Sequence, residues 1–321
     1  MATMTEQPSA PWWRTSTTIL AGVLVGGGVV AALARLLSIE AGPLAVVVAF
    51  IPWFTALAVA TLLLAIGARA RIPMIGAALL LAVNLAWLSP LFVGGASGEP
   101  QLTVMTLNAS YGDADPAQVL ELVNDLDVDI LTIQELTPRL AESLAQVGLN
   151  DTLPFSVVQD ERGHGGIGLW SRAPMTNGIA LDDLDVWAIR ADVDTARGPV
   201  TVFAVHPARP RVSEHARWSS DLAILTQMID STPGAVLVAG DFNTTRDHAS
   251  FRKLERLGFA DESDQAAAGI QFTFPQGLTI PPLFAIDHVL TRDVPWVAVQ
   301  VATIAVTGTD HRALVVGYAS Q

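Results

Sequence analysis

The stretch AVLVAGDFN, residues 235–243, runs five apolar residues into Gly240, Asp241, Phe242 and Asn243. The apolar half reads as a buried strand, and the polar half as the point where that strand ends. Asp241 and Asn243 lie two residues apart, so along an extended chain both side chains project to one side. Gly240 gives the backbone freedom to bend immediately before them. A carboxylate and a carboxamide on one face can hold a water molecule or a phosphoryl oxygen. Asp-Xaa-Asn is common in turns, so its weight depends on how the other strands end.

They end the same way. LTVMTLN closes on Asn108, DILTIQE on Glu135 and VTVFAVH on His206, while IDHV carries Asp287 and GTDHRALVV carries Asp310 and His311. Glu135 reads either as a cap for the next helix or as an oxygen ligand for a hard cation. Mg²⁺ takes one or two carboxylates and keeps several waters, and Asn108, Glu135 and Asp310 supply that kind of sparse site. A histidine works as an acid or base when a partner fixes its tautomer. Asp287 is the natural orienting partner for His311, and His206 can donate to a phosphate oxygen. His215 and His248 fall on the polar faces of helical stretches and read as solvated. His164, in a Gly-rich loop, and His288, next to Asp287, read as structural or as neighbours of the site.

Around these segments, residues 101–321 alternate strand-like and helix-like runs. Apolar runs cover 102–107, 129–134, 166–170, 200–205, 235–239, 285–290, 296–306 and 313–316, and helical periodicity covers 116–126, 138–147, 213–229 and 248–257. Pro116 and Pro138 suit a first helical turn. Strands follow strands near the C-terminus, which predicts mixed sheets with helices outside them.

Upstream the composition changes. Residues 1–98 carry six charged side chains, whereas 99–321 carry 14 Lys+Arg against 29 Asp+Glu, a net of −15. Stretches 17–37, 43–66 and 72–93 are apolar, interrupted only by Arg35, and match the ~20 residues that cross ~30 Å of hydrocarbon. The division is therefore a membrane module, 1–98 with three transmembrane helices, and a globular domain, 101–321. A cleaved signal peptide is not expected, since two further spans follow the first. Arg14, Arg69 and Arg71 against Arg35 place the N-terminus in the cytoplasm and everything after Val93 outside the plasma membrane. Trp12, Trp13 and Trp87 lie near span ends, where indole favours the interface. Asn84, mid-span, could pair with another helix, which leaves the oligomeric state open. The absence of Cys excludes disulfides, thiolate metal sites and a Cys nucleophile.

Taken together, Asn108, Gln134-Glu135, His206, GDFN at 240–243, Asp287 and Asp310-His311 resemble, in motif order, the endonuclease/exonuclease/phosphatase superfamily. That family includes DNase I-like nucleases, neutral sphingomyelinases and inositol-polyphosphate phosphatases. The resemblance implies a DNase I-like, four-layer α/β sandwich and Mg²⁺-dependent hydrolysis of a phosphate ester or anhydride, with Mn²⁺ as the substitute. It implies Asn108, Glu135 and Asp310 on the metal side and Asp241 and Asn243 orienting water or phosphate. His311, held by Asp287, is the implied acid/base residue. His206 matches the branch with histidine after that strand, and GGIGLWSR at 165–172 resembles a structural strand ending in Ser-Arg. The preceding spans look like those of VanJ-type teicoplanin-resistance proteins of actinomycetes, membrane-anchored members with the catalytic domain outside. That resemblance implies a cell-wall and antibiotic-resistance setting, with a lipid-linked intermediate such as undecaprenyl pyrophosphate as substrate.

Charge separates the functions that remain. Non-specific DNA binders present a basic stripe, but here the basic clusters are only Arg209/Arg211/Arg217 and Arg252-Lys253/Arg256. The first, just after His206, could hold a second phosphate; the second reads as a solvated helix face. No stable nucleic-acid partner is expected. The expected partners are the lipid bilayer and a lipid-linked phosphate, concentrated at the site by the short junction 94–100. The alternatives are a tethered extracytoplasmic nuclease or phosphodiesterase, and a non-catalytic binding module that has no need of His311 and its orienter.

Overall fold

The computed structural model describes residues 11–210 and 215–320. It divides into two compact units, one ending at Ser89 and one made of residues 90–321 with 41–43.

Among the described residues, the first unit holds four helices: α1 (Trp12–Leu36), α2 (Pro43–Ala49), α3 (Ile51–Ala68) and α4 (Arg71–Leu88). Three segments, Trp12–Leu36, Ile51–Ala68 and Arg71–Leu91, are long and apolar enough to cross a membrane. The stretch 43–66 is not one helix but breaks at Phe50. Pro52 explains the break: a proline lacks the amide hydrogen and crowds the carbonyl four residues back, so it is accommodated in the first turn of a new helix. A Cβ on Gly28 would meet Leu80, and one on Gly76 would meet Val25. Small residues therefore set the close approach of α1 and α4. Asn84 is buried among these helices, lining a small cavity with Gly28 and Thr61.

Among the described residues, the second unit contains twelve strands in two mixed sheets. The first sheet has the order β11–β12–β1–β2–β4–β3, and the second β5–β6–β7–β8–β10–β9. The strands are β1 (Leu102–Asn108), β2 (Ile130–Gln134), β3 (Phe155–Gln159), β4 (Ile167–Ser171), β5 (Met175–Leu181) and β6 (Ala188–Thr195). They continue with β7 (Gly198–Val205), β8 (Val236–Asp241), β9 (Ala260–Asp261), β10 (Asp287–Arg292), β11 (Trp296–Ala305) and β12 (Arg312–Ser320). The helices are α5 (Pro116–Asp125), α6 (Pro138–Gln146), α7 (Leu149–Thr152), α8 (His215–Asp230), α9 (Ala249–Arg256) and α10 (Glu262–Gln265). The first two residues of the expected helix 213–229 lie outside the described residues.

Alternation along the central strands builds the layers. Val104 faces the inter-sheet core with Ile130, Val202, Leu237 and Val289. Its neighbour Met105 faces the other way, toward Val119, Val123, Leu140 and Leu144 of α5 and α6. In the second sheet Phe203, Val236 and Val238 pack beneath Leu225, Ile229, Phe251 and Leu254 of α8 and α9. A two-residue period thus gives each sheet a sheet-facing and a helix-facing side, and the product is the four-layer α/β sandwich. Strands β3, β5, β6 and β9 are additional to the apolar runs. β3 and β5 lie at sheet edges with exposed residues, and β6 interleaves Arg190, Asp192 and Asp194, so none carries a continuous apolar signal.

Topology decides where the chemistry gathers. Among the described residues, only β1–β2 and β7–β8 run parallel, with α5 and α8 in the respective crossovers. Their C-terminal ends carry Asn108, Glu135, His206 and Asp241. Strands β10 and β12 run antiparallel to these neighbours, so their first residues arrive at the same end: Asp287 pairs with Asp241, and Leu314 with Thr106.

Candidate active site

The two sheets meet side chain to side chain. Asn108 Nδ2 donates to Asp241 Oδ2 at 3.0 Å, from one sheet to the other, and to Glu135 Oε1 at 3.3 Å. The Asn108 carbonyl oxygen accepts from Thr309 Oγ1 at 2.6 Å, and Thr309 Oγ1 in turn accepts from the His311 amide at 3.0 Å. The threonine thereby ties the end of β1 to the approach of β12.

His311 Nδ1 lies 2.8 Å from Asp287 Oδ2, and its Nε2 lies 3.7 Å from Asp241 Oδ2. Burial opposes a charged imidazole here, but the carboxylates of Asp287 and Asp241 outweigh it and push His311 up to about 10. The same burial, with repulsion from Asp287, raises the Asp241 carboxyl against the pull of His311 and His206. His206 Nε2 stands 3.7 Å from Asp241 and 4.0 Å from Glu135. Burial lowers its pKa despite the opposing pull of Asp241, the reverse of the shift at His311.

Backbone conformation supports this placement. Glu135 and Asn243 take positive φ values of 55° and 48°, unusual for residues other than glycine and concentrated at functional sites. Glu135 does not cap the following helix; Thr137 does. Its carboxylate turns inward and accepts from the Tyr111 amide at 2.7 Å. Asn243 is held by its amide on Asp241 Oδ1 at 2.8 Å, its Nδ2 on the Pro207 carbonyl at 3.0 Å, and Trp218 Nε1 on its carbonyl at 3.1 Å. Gly240 does not bend the chain. It pairs with Val205 and His288 within the sheet, and a Cβ there would collide with the Val205 carbonyl. The glycine is needed for close approach of β7 and β8.

Asn108, Glu135, His206, Asp241, Asp287 and His311 are thus brought together, with Asn243 alongside. Asp310 is not joined to Asn108 or Glu135: its side chain is exposed and enters no hydrogen bond or ion pair among the described residues. It reaches the site through the field it exerts on His311. The acidic and histidine ligand atoms that converge within 4.8 Å, among the described residues, belong to Asp241, Asp287 and His311. Asp287 Oδ1 is buried without a hydrogen-bond partner. Asp241, Asp287 and neighbouring Glu135 offer hard carboxylate donors, and the orphaned Asp287 oxygen among them fits a divalent cation, whereas the Asn108 carboxamide oxygen accepts from the Ser110 amide at 2.9 Å.

The histidines outside this cluster sort differently. His248 is buried, not solvated: Nδ1 accepts from the Thr245 amide at 3.0 Å, and the ring meets Trp218 edge-on. His215 is half-buried against Trp218. His288 is structural, bridging Asp261 Oδ2 at 3.2 Å and the Thr244 carbonyl at 3.0 Å. Of the basic cluster, Arg211 lies outside the described residues, and Arg217 stands 3.6 Å from Asp185. Arg172 of the Ser-Arg strand is structural, bonding the Val128 carbonyl at 2.9 Å. Two neighbours of the site carried no sequence signal. Thr309 is one, and Phe274 is the other, with its ring 4.8 Å from that of His311.

A buried Asp–His pair beside converging carboxylates, where two mixed sheets end, defines a metal-dependent hydrolase of phosphoric ester or anhydride bonds. Comparison places it more narrowly. The chain belongs to the Endonuclease/Exonuclease/phosphatase family, whose sequence model matches residues 105–311. Solved structures share the fold at low identity. A humanized TDP2 of D. rerio is 16% identical with a TM-score of 0.58, covering 68% of this chain and 99% of its own. The 3′ phosphatase NExo from Neisseria, bound to a product DNA hairpin, is 16% identical with a TM-score of 0.54 over 68% and 99% of the two chains. A family protein from Beutenbergia cavernae is 16% identical with a TM-score of 0.54, covering 68% of this chain and 71% of its own. A search of the curated proteins finds no match.

Proposed function

We propose that the chain is a plasma-membrane phosphohydrolase whose catalytic domain, residues 101–321, faces outward and cleaves a lipid-linked pyrophosphate such as undecaprenyl pyrophosphate. The observation that carries this reading is the pairing, in one chain, of three membrane-length helices with a strongly acidic hydrolase domain. Tethering raises the effective concentration of lipid substrates, and a net charge of −15 on residues 99–321 disfavours a polyanionic duplex. The cell-wall and antibiotic-resistance setting, the cytoplasmic N-terminus and the membrane module 1–98 belong to the same proposal.

Glu135, with Asp241 at the edge of the group, would hold a divalent metal, Mg²⁺ or Mn²⁺, both carboxylates being positioned by the Asn108 amide; Asp310, exposed, acts only through its field on His311. When bound, the cation neutralises charge on the phosphoryl oxygens. Asp241, fixed by the Asn243 amide, orients the attacking water and takes its proton as the new P–O bond forms. Asn243 and His206 hold phosphoryl oxygens. Asp287 fixes the proton on Nδ1 of His311, leaving Nε2–H directed toward the cluster. With its proton retained well above neutrality, His311 donates Nε2–H to the leaving oxygen as the old P–O bond breaks. The products are inorganic phosphate and the lipid monophosphate.

The second reading is a tethered nuclease, favoured by neighbours of the same fold solved with DNA products, among them a D. rerio TDP2 and the Neisseria phosphatase. One experiment separates the two. Full-length protein with Mg²⁺ is offered undecaprenyl pyrophosphate and a DNA duplex side by side, with His311→Ala as control. Phosphate release from the lipid, lost in the variant, is expected. DNA cleavage without lipid turnover overturns the proposal.

A further inference from the structure

Residues 265–286 contain no charged side chain, within a domain where 43 of 223 residues are charged. This segment is built into the site at its base. Thr273 Oγ1 accepts from the Ile286 and Asp287 amides, Phe274 covers His311, and the Gln276 amide donates to the Asp310 carbonyl at 2.6 Å. Phe274 and Phe284 bridge to each other, so 275–283 projects as a closed loop. At its tip Leu278 is 61% exposed and Ile280 47%. Leu278 and Ile280 thus form an exposed apolar tip on an anchored, uncharged loop.

At the other end of the segment, Leu91, the last residue of the third membrane-length segment, accepts from the Gly269 amide at 2.7 Å, and the Ala96 amide donates to the Gln265 carbonyl at 3.0 Å. The ring of Phe92 lies against Gly269. The uncharged segment is therefore stitched to the residues that emerge from the last membrane-length helix. It also lacks the negative charge that would repel anionic headgroups from the rest of the domain.

We propose that the 275–283 loop is a lipid-contacting element: Leu278 and Ile280 enter the interfacial layer of the bilayer and set the His311 side of the site at headgroup level. This deepens the lipid-directed reading and rests on it for its consequence, though not for its test. The chain has no cysteine, so Leu278→Cys, Ile280→Cys and the control Asp151→Cys each give a single labelling site. Asp151 follows Asn150, which bonds Trp170; Trp170 pairs with Leu131, at the end of β2 remote from Glu135. Full-length variants carrying a nitrobenzoxadiazole label are reconstituted into phosphatidylcholine/phosphatidylglycerol vesicles with headgroup-nitroxide lipid.

Labels at 278 and 280 are expected to be quenched several-fold more than the label at 151. Equal quenching at all three positions overturns the proposal. So does shielding of 278 and 280 from iodide without lipid quenching, which would assign the loop to a second copy of the chain. In parallel, the double variant Leu278→Asp/Ile280→Asp is expected to lower the ratio of bilayer-lipid to soluble-phosphodiester turnover roughly tenfold, since each side chain loses an apolar contact. An unchanged ratio counts against the loop. Lipid quenching in a protein that cleaves only DNA would retain the loop's role and overturn the substrate instead.

Discussion

At the scale of single residues the site is a problem of charge. Asp287 and Asp241 crowd a buried space, and His311 between them is the group that makes their company tolerable. Replacing Asp287 by Asn keeps the shape but removes the charge that holds the His311 proton. The expected result is a fall in kcat of about 10²- to 10⁴-fold, with the alkaline limb of the pH–rate profile moving to lower pH. A limb that stays in place would show that His311 is not the titrating acid. Glu262 makes a second residue-scale prediction, about stability. Burial pushes its carboxyl up to about 8, with the charge of Asp261 adding to the rise. The folded state then holds a proton that the unfolded state releases near pH 4.5, so stability falls as pH climbs between those values. The slope is about 1.4 kcal/mol per pH unit, or about 3–5 °C in Tm per pH unit for a domain of this size. Glu262→Gln should flatten the Tm-against-pH curve between pH 5 and 8, measured by thermal unfolding of the full chain.

At the scale of elements, the parallel pair β7–β8 sets the spacing between His206 and Asp241. Gly240 lets β8 approach the Val205 carbonyl, a rigid backbone atom that cannot turn aside. Gly240→Ala is expected to destabilise the domain by about 1–3 kcal/mol through overpacking and to lower kcat by displacing Asp241. Gly198→Ala is the comparison. Gly198 has open space around it but a φ of 113°, so that variant should lose stability without losing kcat in the folded fraction. Equal activity losses in both would show that the β7–β8 spacing is not what matters. The helices act through loops instead. Trp218 of α8 bonds the Asn243 carbonyl, and Asp221 of the same helix accepts from the Ala208 amide at 2.8 Å. One helix thus fixes the loops following both strands.

At the scale of the whole molecule, metal and membrane are the two external partners that the proposed function requires. Chelation with EDTA should abolish turnover, and Mg²⁺ or Mn²⁺ should restore it. A metal that binds only the folded state also raises Tm by mass action, by an amount equivalent to about 2.7 kcal/mol at a hundred times Kd. Glu135→Gln should diminish that metal-dependent Tm rise. A rise that survives in the glutamine variant would move the metal to the Asp241/Asp287/His311 group.

Much of this was readable before any folding. Apolar runs ending in Asn108, Glu135, His206 and Asp241 marked the central strands, because a strand buried on both faces leaves its polar residues at its ends. The scarcity of charge upstream marked the three segments long and apolar enough to cross a membrane, because hydrocarbon excludes charge whatever the topology. The edge strands β3 and β5 were not readable, since strands half in water carry no apolar period. The fate of a particular histidine was no more legible: His248, His288 and His311 are each one polar residue beside an apolar run. Their roles follow from what the fold sets against them: the Thr245 amide for the first, Asp261 of β9 for the second, and Asp241 of β8 with Asp287 of β10 for the third. Asp310 shows the same limit from the other side. The sequence placed it next to His311, and only the turn into β12 decided that its side chain faces solvent. Residue type and period set which segments become strands and where they end, because those depend on neighbours along the chain. Which side chains share a proton or a cation depends on strand order and direction, and those are fixed only when the two sheets close on each other.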